Sequence, residues 1–262
     1  MAKRAAPKGK ALAPVTVITG ASAGLGVDFA RLLSARGDRL VLVARRKDRL
    51  ETLARELGNA RAVALDLSEP SAAAKLVADL ANNGETCATL INNAGFGLWG
   101  KFLAVDGAQQ RQMIDLNCGA LVDLAYAFAG PMVERGEGAI LNVASTAAFQ
   151  PGPGMATYFA SKAFVLSFTE ALHEELKAKG VRVSALCPGP TATEFGAVAG
   201  FHSDGVIDKL AAKSDEVVAF GLKALDKNRA VAIPGLINKV GAQGHRFMPR
   251  GLLRKVTALV KD

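Results

Sequence analysis

Short apolar runs alternate with amphipathic segments along most of the chain. The runs are rich in valine, isoleucine and leucine, as buried parallel strands require, and they predict strands at 15–19, 39–44, 62–65, 89–92, 139–144, 181–186 and 230–233. The segments between them predict helices, including two long ones at about 108–135 and 158–179. This alternation is typical of an α/β fold, a doubly wound parallel sheet of about seven strands with helices on both faces. In such a sheet, ligands bind beyond the carboxyl ends of the strands.

A glycine-rich turn lies between the first predicted strand and the first amphipathic helix. Its spacing is Gly20-x-x-x-Gly24-x-Gly26. Glycines let the backbone approach a pyrophosphate, which then binds the unpaired N–H groups at the start of the helix. A glycine turn without a ligand is the alternative. The strand, turn and helix together favour a dinucleotide site in a Rossmann-type fold.

Tyr158 and Lys162 lie four residues apart in a predicted helix, so their side chains share one face. A phenol normally titrates near pH ~10, and a nearby ammonium group lowers its pKa. With a hydroxyl such as that of Ser145 holding a carbonyl oxygen, the pair can move a proton on or off a carbonyl–alcohol pair. Taken alone, the same spacing also describes an ordinary surface pair.

Six motifs occur in one register along the chain: Thr19-Gly20-x-x-x-Gly24-x-Gly26, Asn92-Asn93-Ala94-Gly95, Asn117, Ser145, Tyr158-x-x-x-Lys162 and Pro188-Gly189. In order and spacing, the chain resembles the compact single-domain branch of the short-chain dehydrogenase/reductase family, from about residue 13 to about residue 235. The resemblance implies that Tyr158 is the acid in ketone reduction and the base in alcohol oxidation. It also implies that Lys162 lowers the pKa of Tyr158 and bonds the nicotinamide ribose. Ser145 would hold the substrate oxygen.

The same resemblance implies a role for Asn117 and a set of cofactor contacts. Asn117 would support a water chain to Lys162, although a buried helix residue that bonds the backbone is the plainer interpretation. Asp66 and Leu67 would contact the adenine ring, or would simply end a strand. The full set of implied cofactor contacts, apart from the arginines, is Gly20, Ser22, Gly24, Leu25, Gly26, Asp66, Leu67, Asn93, Ala94, Gly95, Tyr158, Lys162, Pro188, Gly189, Thr191 and Thr193.

The end of the second predicted strand indicates which cofactor the site prefers. A carboxylate about 20 residues after the glycines usually holds the ribose 2′-hydroxyl of NAD, but Arg45 and Arg46 occur there instead. A guanidinium can make charge-assisted contacts to a 2′-phosphate. We therefore expect NADP, with Arg45 as the principal contact and Ser22 or Arg46 assisting. Alternatively, both arginines are solvated residues at the start of the next helix.

The residues expected to shape the substrate pocket are apolar and almost uncharged, which suits an apolar carbonyl compound. Many of them are equally suited to packing a lid. They are Phe96, Leu98, Trp99, Phe149, Pro151, Pro153, Met155, Phe195, Val198, Phe201 and His202. The sequence therefore favours an NADP-dependent oxidoreductase that interconverts a ketone or aldehyde and an alcohol. A catalytically idle NADP-binding sensor or scaffold is the alternative.

Composition narrows the class of protein further. The 262 residues, half of them hydrophobic, suffice for one large core. The net charge of +8 lies at the ends, because residues 1–14 hold four bases and no acid and residues 238–262 hold six bases and one acid. A body near neutrality argues against nucleic-acid binding. Three separated cysteines predict buried reduced thiols and no metal site, and the absence of a signal-like or 18-residue apolar segment predicts a cytoplasmic protein.

Three regions are expected: a basic tail at 1–13, the catalytic domain at 14–237 with a substrate lid at about 190–213, and a basic extension at 238–262. The extension carries one apolar helical stripe, Leu252, Leu253, Val256, Leu259 and Val260. This stripe suits either docking on the protein or contact with an anionic membrane. We expect a homodimer or homotetramer, since the family commonly pairs through two long helices whose predicted outer faces carry Leu121, Leu124, Phe128, Phe164, Phe168 and Leu172.

Overall fold

A computed structural model of the chain describes residues 12–200, 211–244 and 248–259. Within these residues, seven parallel strands form one sheet in the order β3-β2-β1-β4-β5-β6-β7. The strands are β1 Ala13–Thr19, β2 Leu40–Ala44, β3 Ala60–Ala64, β4 Glu85–Asn92, β5 Gly138–Val143, β6 Val181–Leu186 and β7 Val231–Ala232. The predicted Rossmann-type parallel sheet is therefore confirmed.

The helices lie on both faces of the sheet. Their bounds are α1 Leu25–Ala35, α2 Lys47–Leu57, α3 Ala72–Asn82, α4 Gly107–Ile114, α5 Leu121–Arg135, α6 Ala156–Leu176, α7 Phe195–Ala199, α8 Ser214–Asp226, α9 Leu236–Gly244 and α10 Arg250–Leu259. Successive strand residues point to opposite faces, so Ile18 packs with α1, α2 and α8, and Val17 packs with α3 and α5. Each face of β1 is thus covered by its own hydrophobic core.

Two predicted strands are longer in the structure than their apolar runs. β1 begins at Ala13 and β4 at Glu85 because these two residues pair with each other, with a register shift between Val15 and Thr16. The added residues include polar ones that hydropathy alone does not mark as strand. The pairing extends the centre of the sheet away from the ligand-binding edge.

A π-helical turn, Asp115–Ala120, joins α4 to α5 in one continuous helix. By length and composition this helix, Gly107–Arg135, would be able to cross a membrane, although a core helix passes the same test. The prediction that Leu121, Leu124 and Phe128 face outward is wrong. They are 6%, 1% and 5% exposed, because this side of α5 packs on the sheet.

Several sequence predictions fall on residues outside the described ranges. Residues 1–11 of the predicted tail, Phe201 and His202 of the predicted pocket, and Val260 of the predicted stripe are among them. The same holds for the side chains of Val198 and Leu259. The three cysteines are described, and Cys87, Cys118 and Cys187 are buried free thiols, as the sequence predicts.

Candidate active site

The strand order reverses beside β1, where β2 and β4 pair on either side. The Thr19 hydroxyl ties the two central strand ends together. Its Oγ1 accepts hydrogen bonds of 2.9 Å from the backbone N–H groups of both Asn93 and Ala94 and donates to the Ile91 carbonyl at 3.2 Å. A crevice at such a reversal is where doubly wound sheets bind their ligands.

Three predicted catalytic side chains meet at the carboxyl end of β5. Ser145 follows the strand by two residues, and α6 brings Tyr158 and Lys162 over it in its first two turns. The Lys162 Nζ donates a hydrogen bond of 2.8 Å to the Val143 carbonyl, the last of the strand. Tyr158 and Lys162 are only 8% and 6% exposed. Tyr158 and Lys162 therefore form a buried pair, and their interpretation as an ordinary surface pair is excluded.

Burial sets the charge of this pair. It raises the pKa of Tyr158 to about 12, against the opposing effect of a hydrogen bond with the Ser145 side chain. It lowers the pKa of Lys162 to about 8. The sequence predicts that Lys162 lowers the pKa of Tyr158, but desolvation prevails here, and the Lys162 Nζ lies 5.8 Å from the centre of the Tyr158 ring. A neutral phenol is the form that can donate a proton to a carbonyl oxygen.

Asn117 occupies the π-helical turn and is 2% exposed. Its Oδ1 accepts a hydrogen bond from the Phe96 N–H at 3.1 Å, and its Nδ2 donates to the Phe96 carbonyl at 3.0 Å and to the Ser161 Oγ at 3.1 Å. A β-carbon at Gly95 would lie 2.8 Å from the Asn117 Oδ1. Asn117 therefore locks the loop after β4 against α6, and its water chain to Lys162 stays a prediction.

The glycine loop packs closely on the segment after β4 and leads into an uncapped helix start. Gly20 has a left-handed backbone, and a β-carbon there would lie 2.9 Å from the Ala94 Cα and the Asn93 Nδ2. No side chain caps the start of α1, which follows Gly24. An anion can therefore approach the backbone and the N-terminus of α1, whose dipole favours negative charge. Leu25 and Gly26 form the first residues of that helix.

The two arginines after β2 take different partners. The Arg46 Nε donates to the Ser22 Oγ at 3.1 Å, and its Nη2 donates to the Ser22 carbonyl at 3.3 Å. The Arg45 Nη1 instead lies 4.0 Å from the Asp66 Oδ2. Burial raises the pKa of Asp66, but hydrogen bonds from Ser68 and the charge of Arg45 outweigh it and lower that pKa. Arg46 is therefore the arginine beside the glycine loop, while Asp66 and the buried Leu67 lie after β3.

Sequence reasoning missed Arg49 and Glu194. The Arg49 Nη1 lies 3.2 and 3.1 Å from the two carboxylate oxygens of Glu194. Arg49 follows Arg46 by three residues, and residues three apart are neighbours on a helix surface, so the spacing was a usable signal. No comparable signal exists for Glu194, which lies 145 residues further along the chain.

The segment after β6 crosses the cleft. The Pro188 carbonyl accepts hydrogen bonds from the Ser145 Oγ at 3.4 Å and the Thr146 N–H at 2.8 Å. The Thr191 hydroxyl donates to the Gly189 carbonyl at 2.9 Å. Thr193 then packs on the glycine loop, since a β-carbon at Gly24 would lie 3.3 Å from the Thr193 Cβ. The segment thus joins the Ser145 end of the site to the phosphate end.

An apolar wall surrounds the Tyr158 ring. Partly buried side chains pack on Tyr158 and its buried neighbours, and the Phe195 ring centre lies 5.4 Å from that of Tyr158. The wall consists of Phe96, Leu98, Met155 and Phe159. Other predicted pocket residues lie elsewhere: Phe149 packs with Val165 and Leu166 of α6, and Pro153 is exposed. Trp99 donates its backbone N–H to the Ala199 carbonyl at 2.8 Å, which ties the loop after β4 to α7.

Comparison with known proteins agrees with this architecture. A family model for the short chain dehydrogenases matches residues 14–200. Sulfoacetaldehyde reductase 2 of Chromohalobacter salexigens is 38% identical over 189 residues, covering 70% of this chain and 75% of that protein. The chain spans only 20% of the length of the "Probable oxidoreductase EphD" of Mycobacterium tuberculosis, with 39% identity over 117 residues, or 44% of this chain.

Solved structures that are similar over nearly the whole chain include two that are more than 30% identical to it. A short-chain dehydrogenase from Sphingobium yanoikuyae in complex with NADPH is 35% identical, with a TM-score of 0.80 over 92% of this chain and 95% of that one. The bulky-bulky ketone specific alcohol dehydrogenase from Comamonas testosteroni is 31% identical, with a TM-score of 0.74 over 92% and 96%. With the family match over most of the catalytic domain, these likenesses establish that the chain belongs to the short-chain dehydrogenase/reductase family.

Proposed function

We propose that the protein is an NADP-dependent oxidoreductase that interconverts an apolar ketone or aldehyde and the corresponding alcohol. The observation that carries this proposal is the buried meeting of Ser145, Tyr158 and Lys162 at the carboxyl end of β5. A sensor or scaffold has no need of a proton donor held beside a hydroxyl and an ammonium group. The retained constellation therefore favours turnover.

The chain's own residues handle the proton and the substrate oxygen. The bound cofactor would supply or accept the hydride. Ser145 and Tyr158 hold the carbonyl oxygen, and the neutral phenol gives it a proton as the alcohol forms. Lys162, fixed on the Val143 carbonyl, places a positive charge near the phenolate that remains. In oxidation the same proton returns to Tyr158.

The preference for NADP is supported by the cations around Ser22. Arg46 bonds Ser22 beside the glycine loop, and Arg49 lies one turn further along α2. Guanidinium groups bind phosphates through charge-assisted, often bidentate hydrogen bonds. The Sphingobium relative was solved with NADPH, which agrees with this choice. We also propose Arg45 as a contact of the cofactor, for which its side chain would have to move away from Asp66.

The preference for an apolar substrate is supported by the wall around Tyr158. Phe96, Leu98, Met155 and Phe159 offer no charge to a substrate beside the phenol. Such a lining favours ligands with a large apolar part and a single polar group. The name of the Comamonas relative, a bulky-bulky ketone specific alcohol dehydrogenase, gives a ketone of large size as the substrate of that protein.

A screen of NADPH consumption tests the proposal. The wild type would be assayed against apolar ketones, aldehydes and 3-oxo acyl compounds, with Tyr158→Phe as the blank. We expect turnover with at least one apolar carbonyl compound and a rate at least about a hundredfold lower in the blank. Binding of NADPH with wild-type rates equal to the blank for every compound would instead favour the sensor or scaffold.

We also propose a cytoplasmic homodimer or homotetramer. Tyr126 on α5 is 86% exposed and Phe164 on α6 is 44% exposed, with the Phe164 and Phe168 rings stacked at 6.0 Å. Aromatic side chains of this kind are enriched in interfaces. Phe164 and Phe168 belong to the predicted contacts, and Tyr126 replaces the buried Leu121, Leu124 and Phe128. A monomer mass in light scattering at micromolar concentration would contradict the proposal.

We further propose that the C-terminal segment contacts anionic membranes. Residues 238–262 contain six Lys and Arg and one Asp. On α9, Leu236, Ile237 and Val240 are 77%, 79% and 62% exposed. On α10, Leu253 is buried, whereas Leu252 and Val256 remain 52% and 39% exposed. Docking through Leu253 therefore leaves apolar side chains among bases, the composition of a membrane-surface helix.

A further inference from the structure

Three consecutive residues after β6 each contact a different part of the cofactor cleft. Thr193 packs against Gly24 of the glycine loop. Glu194 reaches the arginines at the start of α2. The Phe195 ring lies over Tyr158, with 5.4 Å between ring centres. We call residues 194–195 the strap, since Thr193 stays beside the glycine loop as one of the implied cofactor contacts.

The Glu194 carboxylate pairs with Arg46 and Arg49, the two arginines that the proposed function assigns to the 2′-phosphate. It lies 3.1–3.2 Å from the Arg49 Nη1 and 3.7 Å from the Arg46 Nη1. Arg46 simultaneously donates to Ser22. The carboxylate is thus an anion held by two guanidinium groups beside the glycine loop, where a 2′-phosphate would make its charge-assisted contacts.

We propose that Glu194 is a competitor for the cofactor's 2′-phosphate and that phosphate binding releases the strap from the cleft. This inference rests on the proposed NADP dependence. A phosphate monoester carries about −1.5 to −2 charge at neutral pH, against about −1 for a carboxylate. The side chains of Glu194, Arg46 and Arg49 are 54%, 43% and 46% exposed, and exposed ion pairs are individually weak. The phosphate therefore displaces the carboxylate.

Release of the strap has a consequence for specificity. A nucleotide without the 2′-phosphate gains little from Arg46 and Arg49, so the Glu194 pairs persist and the strap stays in the cleft. Phe195 then remains over Tyr158. Glu194 thus makes access to the phenol depend on the 2′-phosphate, and it is a specificity-determining residue rather than a catalytic one.

Calorimetric titration of the full chain with 2′,5′-ADP and with 5′-AMP, which differ only in the 2′-phosphate, tests the competition. Glu194→Gln keeps the shape of the side chain and removes its charge. We expect this variant to bind 2′,5′-ADP about threefold to tenfold more tightly than the wild type does, with 5′-AMP affinity within about twofold. The gain should shrink at high salt, where exposed charges are screened. Glu174→Gln is the control. It removes an exposed carboxylate of α6 that pairs with Lys177, and it should change neither affinity.

The outcomes separate this inference from the proposed cofactor. A wild type that prefers 2′,5′-ADP, with no gain in Glu194→Gln, overturns the competition and leaves the NADP proposal standing. A wild type without preference whose Glu194→Gln variant prefers 2′,5′-ADP supports the competition, because Glu194 then masks the site. No preference in either protein overturns both. Equal gains for both nucleotides overturn the dependence on the 2′-phosphate.

The chain's single tryptophan tests the release. Trp99 bonds the Ala199 carbonyl at the end of α7, the helix that begins within the strap. We expect 2′,5′-ADP, but not 5′-AMP, to change Trp99 emission in the wild type. Ligand-free Glu194→Gln should already show part of that change. Emission that responds to neither ligand would mean that the strap stays in place.

Discussion

The two ends of the cofactor cleft are built differently. At the nicotinamide end, Tyr158, Lys162 and Asn117 are all less than 10% exposed, and Lys162 and Asn117 bond backbone groups. At the phosphate end, Arg46 and Glu194 are about half exposed and bond other side chains or a loop carbonyl. Backbone partners in a core cannot move independently, whereas exposed ion pairs exchange partners at little cost. Under the proposed function, the buried end is a fixed proton-transfer centre and the exposed end is an adjustable region that selects the nucleotide.

The largest expected effect is a loss of turnover caused by a small substitution at the nicotinamide end of the cleft. Tyr158→Phe removes one hydroxyl, and Ser145 keeps its bonds with Ala147 and Pro188. Turnover should fall by about 10²–10⁴ because general acid catalysis is lost, while NADPH affinity stays within about twofold. Single-turnover rates and fluorescence titration measure the two quantities. Wild-type turnover in this variant would show that Tyr158 does not transfer the proton.

A second prediction concerns the support beneath the phenol. Asn117→Leu would leave the N–H and carbonyl of Phe96 without their side-chain partner. Each unsatisfied buried group costs about 1–3 kcal/mol, so the free energy of unfolding should fall by about 2–4 kcal/mol in urea denaturation. Asn82→Leu, at the exposed last position of α3, is the control and should change it by less than about 0.5 kcal/mol. Equal stabilities of the two variants would mean that Asn117 does not hold the loop.

The same contrast explains what could be predicted from the sequence. β6 lies where its apolar run predicts it, because a buried strand on the sheet needs that pattern on both faces. The predicted outward orientation of Leu124 and Phe128 is wrong for two reasons. The long helix is apolar on more than one side, and the π-helical turn Asp115–Ala120 shifts the helical phase of the residues that follow. The pairing of Arg49 with Glu194 joins distant parts of the chain, and no local pattern encodes it.

The catalytic motif was recognisable, but its electrostatics were not. Spacing places Tyr158 and Lys162 on one helix face, and the structure brings both beside Ser145. The direction of the Tyr158 pKa depends on how completely α6 and the apolar wall bury the phenol, which is a property of tertiary packing. The contact between Arg46 and Ser22 likewise depends on the path of the loop after β2.

A third prediction decides between the two arginines at the phosphate end. Arg46→Gln should weaken NADPH binding by about 1–3 kcal/mol relative to NADH, because a charge-assisted contact beside Ser22 is lost. Arg45→Gln should weaken NADPH binding less. The Arg45 Nη1 lies 4.0 Å from the Asp66 Oδ2, and the Arg45 side chain is 65% exposed. Fluorescence titration of both cofactors measures the difference. A larger loss in Arg45→Gln would restore the sequence-based choice of Arg45, and equal wild-type affinities for NADH and NADPH would contradict the NADP preference.

A fourth prediction uses the pKa of Lys162, which burial lowers to about 8. Carbonyl reduction needs both the protonated phenol and the lysine charge. As the pH rises, Lys162 loses its proton first, since the pKa of Tyr158 is raised to about 12. The kcat/KM for reduction should therefore decline above about pH 8, by at most about tenfold per pH unit. Lys162→Arg, which stays charged, should show no decline between pH 8 and 10, whatever its absolute rate. The same decline in both proteins would assign it to another group.

The smallest expected effect concerns the C-terminal helices α9 and α10, whose exposed side chains are proposed to contact an anionic membrane. Each base near an anionic surface contributes about 1 kcal/mol, and Leu252 and Val256 would add apolar burial. Co-sedimentation with vesicles containing about a third phosphatidylserine should pellet the wild type and release it at high salt. Leu252→Gln with Val256→Gln should pellet several-fold less, because Leu253 still docks the helix while its outer face becomes polar. Leu103→Gln, at a 95% exposed apolar residue before α4, should pellet like the wild type. If the full chain and a chain ending at Phe247 both fail to pellet, α10 serves the protein's own packing and no membrane.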